Sequence, residues 1–553
     1  MERSEPRPLE QLVPIRDVSP LLWSMPAAVR GGDTETRIQW LHRLSLGTPS
    51  ANGQWVRDLE LWLEQTQPPA ADAQIGLDCL AWCHALPNLI QVLPAAPWCQ
   101  LLGQLVEMAR QAPEMSLVEE PLGQQILAGE LPWTLAYLFP ELAECERLAE
   151  DASSQLSHGI LELLDGEGML EGRNLHLAHP LLACWTRCGY LGRSMGRRAL
   201  DAKATDQYAW FVRQSLRLAR HDSSAVLSPD GGGPWPSPLI EAALDLADDR
   251  ESQVLAGHLI PGRNGKEILE RRKAPPLSIH SEWAEAAILR CDWSSESPQM
   301  AVTYGQNALN CEVNSGGQTL WSGRWDPVVS VNGQTLRSAD TWDEVCWVTD
   351  SDGDYLELQI NFDGNRVLQR QMFLARDDRF LFVADAVLGS EEAEIGYEAE
   401  LPLRSDVCFQ PEKETREGYL RGKRRLGRVL PLSLPEWRAQ PSAGELAPTE
   451  TGLKLHLSQV GKRLFAAWFI DLDPTRIKYQ LTWRQLTVAE QLVTQADDAA
   501  VGYRVQIGHS QWLIYRSLAP QGNRTVLGQN FSTEFVLGRF TREGEVEKLI
   551  EIE

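Results

Sequence analysis

The sequence predicts an α+β protein in which an all-helical half precedes an antiparallel β-sandwich. Three observations carry this reading. Apolar residues recur at helical spacing from about residue 37 to 260, a charged break follows in PGRNGKEILERRKAPP, and short alternating runs fill the remainder. With 553 residues, 43% of them hydrophobic and 23% charged, the chain has apolar material for more than one core. The expected divisions are an N-terminal extension over 1–36, a helical domain over 37–265, a linker over 266–278 and a β domain over 279–553.

In the helical half, Trp55, Leu59, Trp62 and Leu63 of WVRDLELWLEQT share one face, as do Trp98, Leu101, Leu102, Leu105 and Ala109 of WCQLLGQLVEMARQ. The breaks QPPAAD, LPAAPW, LDGEGML and SPDGGGPWPSP are rich in Pro or Gly. The segments between them have the length of helical hairpins, and no fixed-length repeat is present. In the second half, AAILRCDW, DYLELQINF, RFLFVADAVL, RLFAAWFIDL, YRVQIG and QWLIYRSL read as strands. VNGQ at 331–334 and SDGD at 351–354 suit tight hairpins, and successive hairpins imply antiparallel sheets rather than βαβ units.

A formal net charge of −24 sets the surface against phosphate backbones and anionic lipid, so neither nucleic acid nor a membrane is an expected partner. No run approaches the roughly 18 apolar residues of a membrane span. The opening MERSEPRPLEQLVPIRD lacks the apolar stretch of a secretory signal, and a cytoplasmic location is expected. The ten cysteines are scattered and read as reduced, mostly buried thiols; Cys79 with Cys83, and Cys184 with Cys188, are spaced as small hydrophobes facing a core. DSDGDY lacks the calcium-loop pattern, and RGKRRLGR at 421–428 reads as a solvated loop or edge between strands. No Walker loop, Rossmann fingerprint or nucleophile elbow occurs, and neither metal nor cofactor is expected.

Two stretches bear on chemistry. LLDGEGMLEGRNLHLAHPLLACW (163–185) and TYGQNALNCEVNSGGQTLW (303–321) resemble, respectively, the PDGG…RNP loop with its following helix and the strand, turn and strand after the histidine motif of the heparinase II/III-like polysaccharide lyases. The resemblance implies an α/α toroid ahead of a multi-sheet β domain. It also implies β-elimination on uronate-containing glycans, a reaction that needs a base at the sugar C5, a group that neutralises the carboxylate and an acid for the leaving oxygen. In the family a Tyr and a His from the toroid and a His from the β domain share these roles, with an Asn or Arg near the carboxylate.

Carried onto this sequence, Arg173 and Asn174 match the RN of the loop, with Leu175 in place of the proline. His176 and His179 follow, three residues apart on an expected common face. Tyr208, in DQYAWFVRQSL, is the candidate toroid tyrosine, although core packing explains it equally. His221, in RHDSSAVLSPDGGG, reads as a residue ending that helix. The family's H-x-H-x-D-x-L run, aligned on Ala308 and Leu309, becomes Thr303, Tyr304, Gly305, Gln306 and Asn307, without histidine or aspartate. Tyr304 is then the candidate proton donor and Asn307 the candidate carboxylate ligand, and an unassisted phenol titrates near pH 10. Among twenty tryptophans, Trp40, Trp55, Trp62, Trp82, Trp98, Trp133, Trp185 and Trp210 sit at core spacing; Trp235, Trp321 and Trp325 are the candidates for stacking on an oligo- or polysaccharide.

These residues leave three readings: a heparinase-like protein whose lyase chemistry is impaired or lost, a working lyase using Arg173, Asn174, His176, Tyr208 and Tyr304, and a protein-interaction scaffold.

Overall fold

Capping and proline placement mark out the helices before any packing is considered. The computed structural model describes residues 6–15, 18–45, 54–65, 72–228, 237–260, 275–305, 308–339 and 341–553, and divides into two units, Met1–Pro275 and Pro276–Glu553. The first carries α1 (Asp33–Ser45), α2 (Gln54–Gln65), α3 (Ala73–Leu89), α4 (Ala95–Gln111), α5 (Pro121–Gln124), α6 (Leu131–Leu138), α7 (Ala143–Leu163), α8 (Ala178–Met195), α9 (Ala202–Arg217), α10 (Ser237–Ala247) and α11 (Arg250–Leu259). The carboxylates of Asp72, Asp201 and Asp249 accept from the backbone N–H three residues on, supplying the N-caps of α3, α9 and α11. Gly196, at φ +68°, turns the chain out of α8.

Helix α8 organises this unit. Between α5 and α6 the buried segment Gln125–Glu130 widens into a π-helical turn. At one end of it Gln125 accepts from the Trp185 indole at 2.9 Å; at the other the Glu130 carboxylate takes two hydrogen bonds from Arg187, at 2.5 and 2.7 Å. Both acceptors therefore face α8, and the pair is buried with both oxygens satisfied, as a charge in a core must be. Arg187 also donates to the Pro20 carbonyl, and Tyr137 to that of Arg7. The described residues of the N-terminal extension, with Leu9, Trp23, Met25 and Val29 buried, are thus part of this unit. No described helix is long and apolar enough to cross a membrane.

The second unit begins with a five-stranded antiparallel meander, β1 (Ile279–Ser281), β2 (Ala286–Arg290), β3 (Gln299–Thr303), β4 (Asn310–Ser315) and β5 (Gln318–Arg324), in that spatial order. Gly316 and Gly317, both at positive φ, make the two-residue turn between β4 and β5 that the Gly-Gly pair predicts. The central element is an eight-stranded sheet, which the five-stranded meander does not join; it contains Gly353–Phe362, Arg366–Ala375, Phe380–Leu388 and Leu464–Asp471, with Asp343–Thr349 at one edge.

The alternation of side chains across that sheet divides its residues between two cores. Leu356, Leu358, Met372, Leu381 and Val383 pack with Ala287, Met300 and Val302 of the meander and with Ile395 and Leu455 of a second five-stranded sheet. Their strand neighbours Tyr355, Phe373, Phe380, Phe382 and Ala384 pack on the other side with Trp483, Tyr503, Trp512 and Phe535. The central sheet is therefore covered on both faces, which explains the nearly unbroken apolar run FLFVADAV where a one-sided strand would alternate. In RGKRRLGR, expected to be solvated, Arg428 is instead buried and donates to the carbonyls of Tyr479, Arg476 and Ile477. It satisfies the carbonyls of Ile477 and Tyr479 and shares that of Arg476 with the Tyr479 N–H.

Phe382 is fully buried and stacks on Phe535 with ring centroids 5.6 Å apart. Phe382→Ala is expected to cost about 3–5 kcal/mol in denaturant-induced unfolding of the full chain; a loss below about 1 kcal/mol would show that this face does not form a packed core.

Candidate functional site

The DGEG loop after α7 is built to lie on α9. Asp165 accepts from the backbone N–H of Glu167 and Met169, both at 2.8 Å, while Leu164 and Leu170 form an isolated bridge, closing the loop on itself. Gly168, at φ +80°, sits so close to α9 that a Cβ would lie 2.6 Å from the Phe211 nitrogen. Gln214, one turn further along α9, donates to the Glu167 carbonyl at 3.0 Å.

The loop delivers a 3-10 turn, Gly172–Leu177, which carries three of the sequence candidates. Glu171 organises it: its carboxylate takes Arg173 Nε at 2.8 Å and Asn174 Nδ2 at 3.3 Å. Asn174 is buried, whereas Arg173 and His176 are exposed. His176 Nδ1 donates to the Arg173 carbonyl at 3.1 Å, leaving Nε2 as the acceptor of a neutral ring. Desolvation draws its pKa down, so the neutral form prevails at pH 7. His179 is buried, and desolvation together with the Arg30 and Arg220 charges holds it neutral as well. The two histidines do not share an exposed face, because α8 starts only at Ala178 and His176 belongs to the turn before it. His221 lies four residues past the end of α9 rather than in its last turn.

Tyr208 is buried on α9, with its hydroxyl 2.8 Å from Thr186 Oγ1. The Thr186 hydroxyl donates to the Leu182 carbonyl at 2.6 Å, so the phenol is the donor of the pair. Burial pushes the Tyr208 pKa well above the ordinary phenol value. Thr186 lies about 12 Å along α8 from its first residue at 1.5 Å per residue, so Tyr208 is held a different distance along that helix from the Arg173–His176 turn. Trp210, expected in the core, is 38% exposed on α9 next to Gly168. Its displacement from the buried Ala204, Tyr208, Phe211 and Ser215 stripe was readable as a break in the helical spacing.

In the β unit, Tyr304 follows β3 directly and is 2% exposed. Its hydroxyl donates to Glu344 Oε2 at 3.2 Å, and His280 Nε2 lies 2.6 Å from that same oxygen and 3.3 Å from the phenol. The imidazole is stacked on Trp347, ring centroids 4.9 Å apart. Glu344 and Trp347 come from the edge strand of the central sheet, His280 from the edge of the meander, so the cluster clasps two sheets together. Burial first, then the charges of Glu344, Glu285 and Glu282, push the Tyr304 pKa far above its usual value. At the next position, a Cβ on Gly305 would lie 1.7 Å from Glu285 Oε2. The backbone position that aligns with the family's second histidine therefore takes a side chain only if that carboxylate moves.

His280 is the polar residue that the sequence did not single out. It stands 24 residues before Tyr304, and only the register of three strands joins them: Ser281 pairs with Ala286, and Ala286 with Thr303. Trp321 and Trp325 are 0% and 1% exposed, and Arg370 lies 4.3 Å over the Trp325 ring, so neither indole offers a face to a sugar. Asn307 and Trp235 lie outside the described residues, as does the side chain of Trp55.

No family model matches the chain, and no curated protein matches it in sequence. Solved structures do match. Heparinase III superposes with a TM-score of 0.59 at 11% identity, over 87% of this chain and 82% of that one. The chain has the heparinase III fold. A heparan sulfate lyase HepC mutant from Pedobacter heparinus (TM-score 0.56, 12% identity, 89% and 84% covered) and the heparinase III BT4657 gene product (0.57, 10%, 88% and 80%) agree. The helical and β units correspond in order to the toroid and β domain of that fold.

Both phenols hold their protons more tightly folded than unfolded, so their contribution to stability is complete below about pH 10 and is lost as the pH rises toward the folded values. Spectrophotometric titration up to about pH 11 should therefore give the same phenolate amplitude for Tyr208→Phe and Tyr304→Phe as for the parent chain. A drop of one phenolate in either variant would show that its hydroxyl is less confined than the geometry requires.

Proposed function

We propose that this chain is a glycan-binding protein on the heparinase III fold that does not carry out β-elimination. One observation carries the reading: both candidate phenols are buried, donate to a fixed acceptor and have their pKa values raised, whereas a tyrosine that takes a proton at neutral pH needs its value lowered. The sequence offers no imidazole at 303–305, and Glu285 occupies the space beside Gly305.

Glycan binding is supported by the surface around the DGEG loop, where Trp210 supplies an aromatic face, the exposed Arg173 hydrogen-bond donors and the exposed His176 an acceptor. Arg173 is already paired with Glu171, and the chain carries a net charge of −24, so the ligand that suits it is an oligosaccharide of low charge density rather than a heavily sulfated polymer.

A second reading has a specific observation behind it: His280 stands 3.3 Å from the Tyr304 hydroxyl, an imidazole beside a phenol. In a working lyase this pair would be the proton-handling one, and activity would disappear in His280→Ala.

The experiment is incubation with a panel of uronate-containing and neutral oligosaccharides, measuring binding calorimetrically and unsaturated uronate by absorbance. The expected result is saturable binding without product, with Trp210→Ala weakening it about fivefold, as the loss of about 1 kcal/mol of stacking would. Unsaturated product that vanishes in Tyr208→Phe, His176→Ala or His280→Ala would overturn the reading.

A further inference from the structure

Several tryptophans of the β unit carry one of the protein's own cations over the ring. Arg370 lies 4.3 Å over Trp325, Arg290 4.7 Å over Trp293 and Arg476 5.1 Å over Trp512. Trp283 is the contrast. It is 51% exposed at the tip of the β1–β2 hairpin, and among the described residues neither a cation nor a second ring is stacked on it.

The tip is held from three sides. Ser281 Oγ accepts the Ala284 N–H at 3.1 Å, the Glu282 carbonyl that of Glu285 at 3.1 Å, and the Glu285 carbonyl that of Tyr304 at 3.0 Å, while Ala284 is fully buried. Glu285 takes φ +50°, uncommon for a residue with a side chain, and its carboxylate lies beside Gly305.

The charge around the indole is of one sign. Glu282, directly before Trp283, is exposed, and its carboxylate has neither a hydrogen bond nor an ion pair among the described residues. Glu285 follows two positions after the indole, and Glu344 lies beyond, against His280 and the Tyr304 hydroxyl. Neither Glu282 nor Glu344 is paired with a lysine or arginine among the described residues. The pattern recurs in the helical unit, where Asp206, one turn before Trp210 on α9, is exposed and likewise has no partner among the described residues.

We propose that Trp283 and Glu282 bind a protonated amino sugar, so that the glycan taken by this protein carries a free amine among otherwise uncharged residues. The ammonium lies against the indole face, and the Glu282 carboxylate neutralises it; the indole is the best aromatic partner for a cation, and a carboxylate with no other partner adds the charge–charge attraction. The sugar ring that carries the amine also brings an apolar face to the indole, which a bare lysine side chain does not. A net charge of −24 favours such a ligand over an anionic one. The inference rests on the glycan-binding reading and names the class of sugar.

Isothermal titration of the full chain tests it with a linear N-acetylglucosamine tetramer carrying one free amine at its non-reducing end, the fully N-acetylated tetramer, cellotetraose and a capped peptide with one lysine. The free-amine tetramer is expected to bind about fivefold or more tightly than the other three. Trp283→Ala should remove that preference, and Glu282→Gln should weaken it about threefold while leaving the thermal midpoint unchanged. Trp437→Ala removes an indole that is 47% exposed but whose carbonyl accepts from Arg416 and whose neighbour is Arg438, and it should leave the preference intact. Equal binding of the acetylated tetramer or of the lysine peptide, a preference that survives Trp283→Ala and Glu282→Gln, or an equal loss in Trp437→Ala would each overturn the proposal while leaving glycan binding standing. Absence of saturable binding by every glycan would overturn both.

Discussion

The constraint on which the β unit depends is the burial of its eight-stranded sheet on both faces. Phe380, Phe382 and Ala384 point into one core and Leu381 and Val383 into the other, so a one-residue slip of this strand would exchange every contact on both sides. That register positions the Asp343–Thr349 edge strand, which carries Glu344 and Trp347, against the edge of the meander that carries His280 and leads into Tyr304. The polar cluster is thus a consequence of sheet packing. Its three side chains satisfy one another where two layers meet, and the tyrosine is committed to a carboxylate that holds its proton in place.

The helical unit repeats the same logic with different groups. A threonine hydroxyl already donating to its own helix leaves only an acceptor for Tyr208, and burial does the rest. A phenol serves as a base when cations or a dry pocket full of donors stabilise its anion; here the immediate partners are an acceptor hydroxyl in one case and a carboxylate in the other. Similarity in fold to heparinase III, at 11% identity, leaves the chemistry to be decided by such local environments.

Much of the architecture could be read from the chain. The change from helical to alternating spacing separates the two units, the Gly-Gly pair at 316–317 marks its hairpin, and the DGEG loop announces a tight turn between helices. What escaped had a common cause. His280 meets Tyr304 only through the pairing of three strands, Arg428 is buried by carbonyls some fifty residues away, and Trp321 and Trp325 are covered by residues of distant strands. The N-terminal extension looked independent because the carbonyls of Arg7 and Pro20 find their partners, Tyr137 and Arg187, more than a hundred residues on. Local spacing reports one face of one element; these residues are set by what comes to lie on it.

The account turns on whether any group in this protein removes the C5 proton of a uronate. Incubating the full chain with a uronate oligosaccharide in deuterated water and following the C5 position by NMR measures that step directly, whether or not a bond is later cleaved. The account predicts no exchange above the protein-free control; deuterium entering C5 at a rate proportional to protein concentration would contradict it.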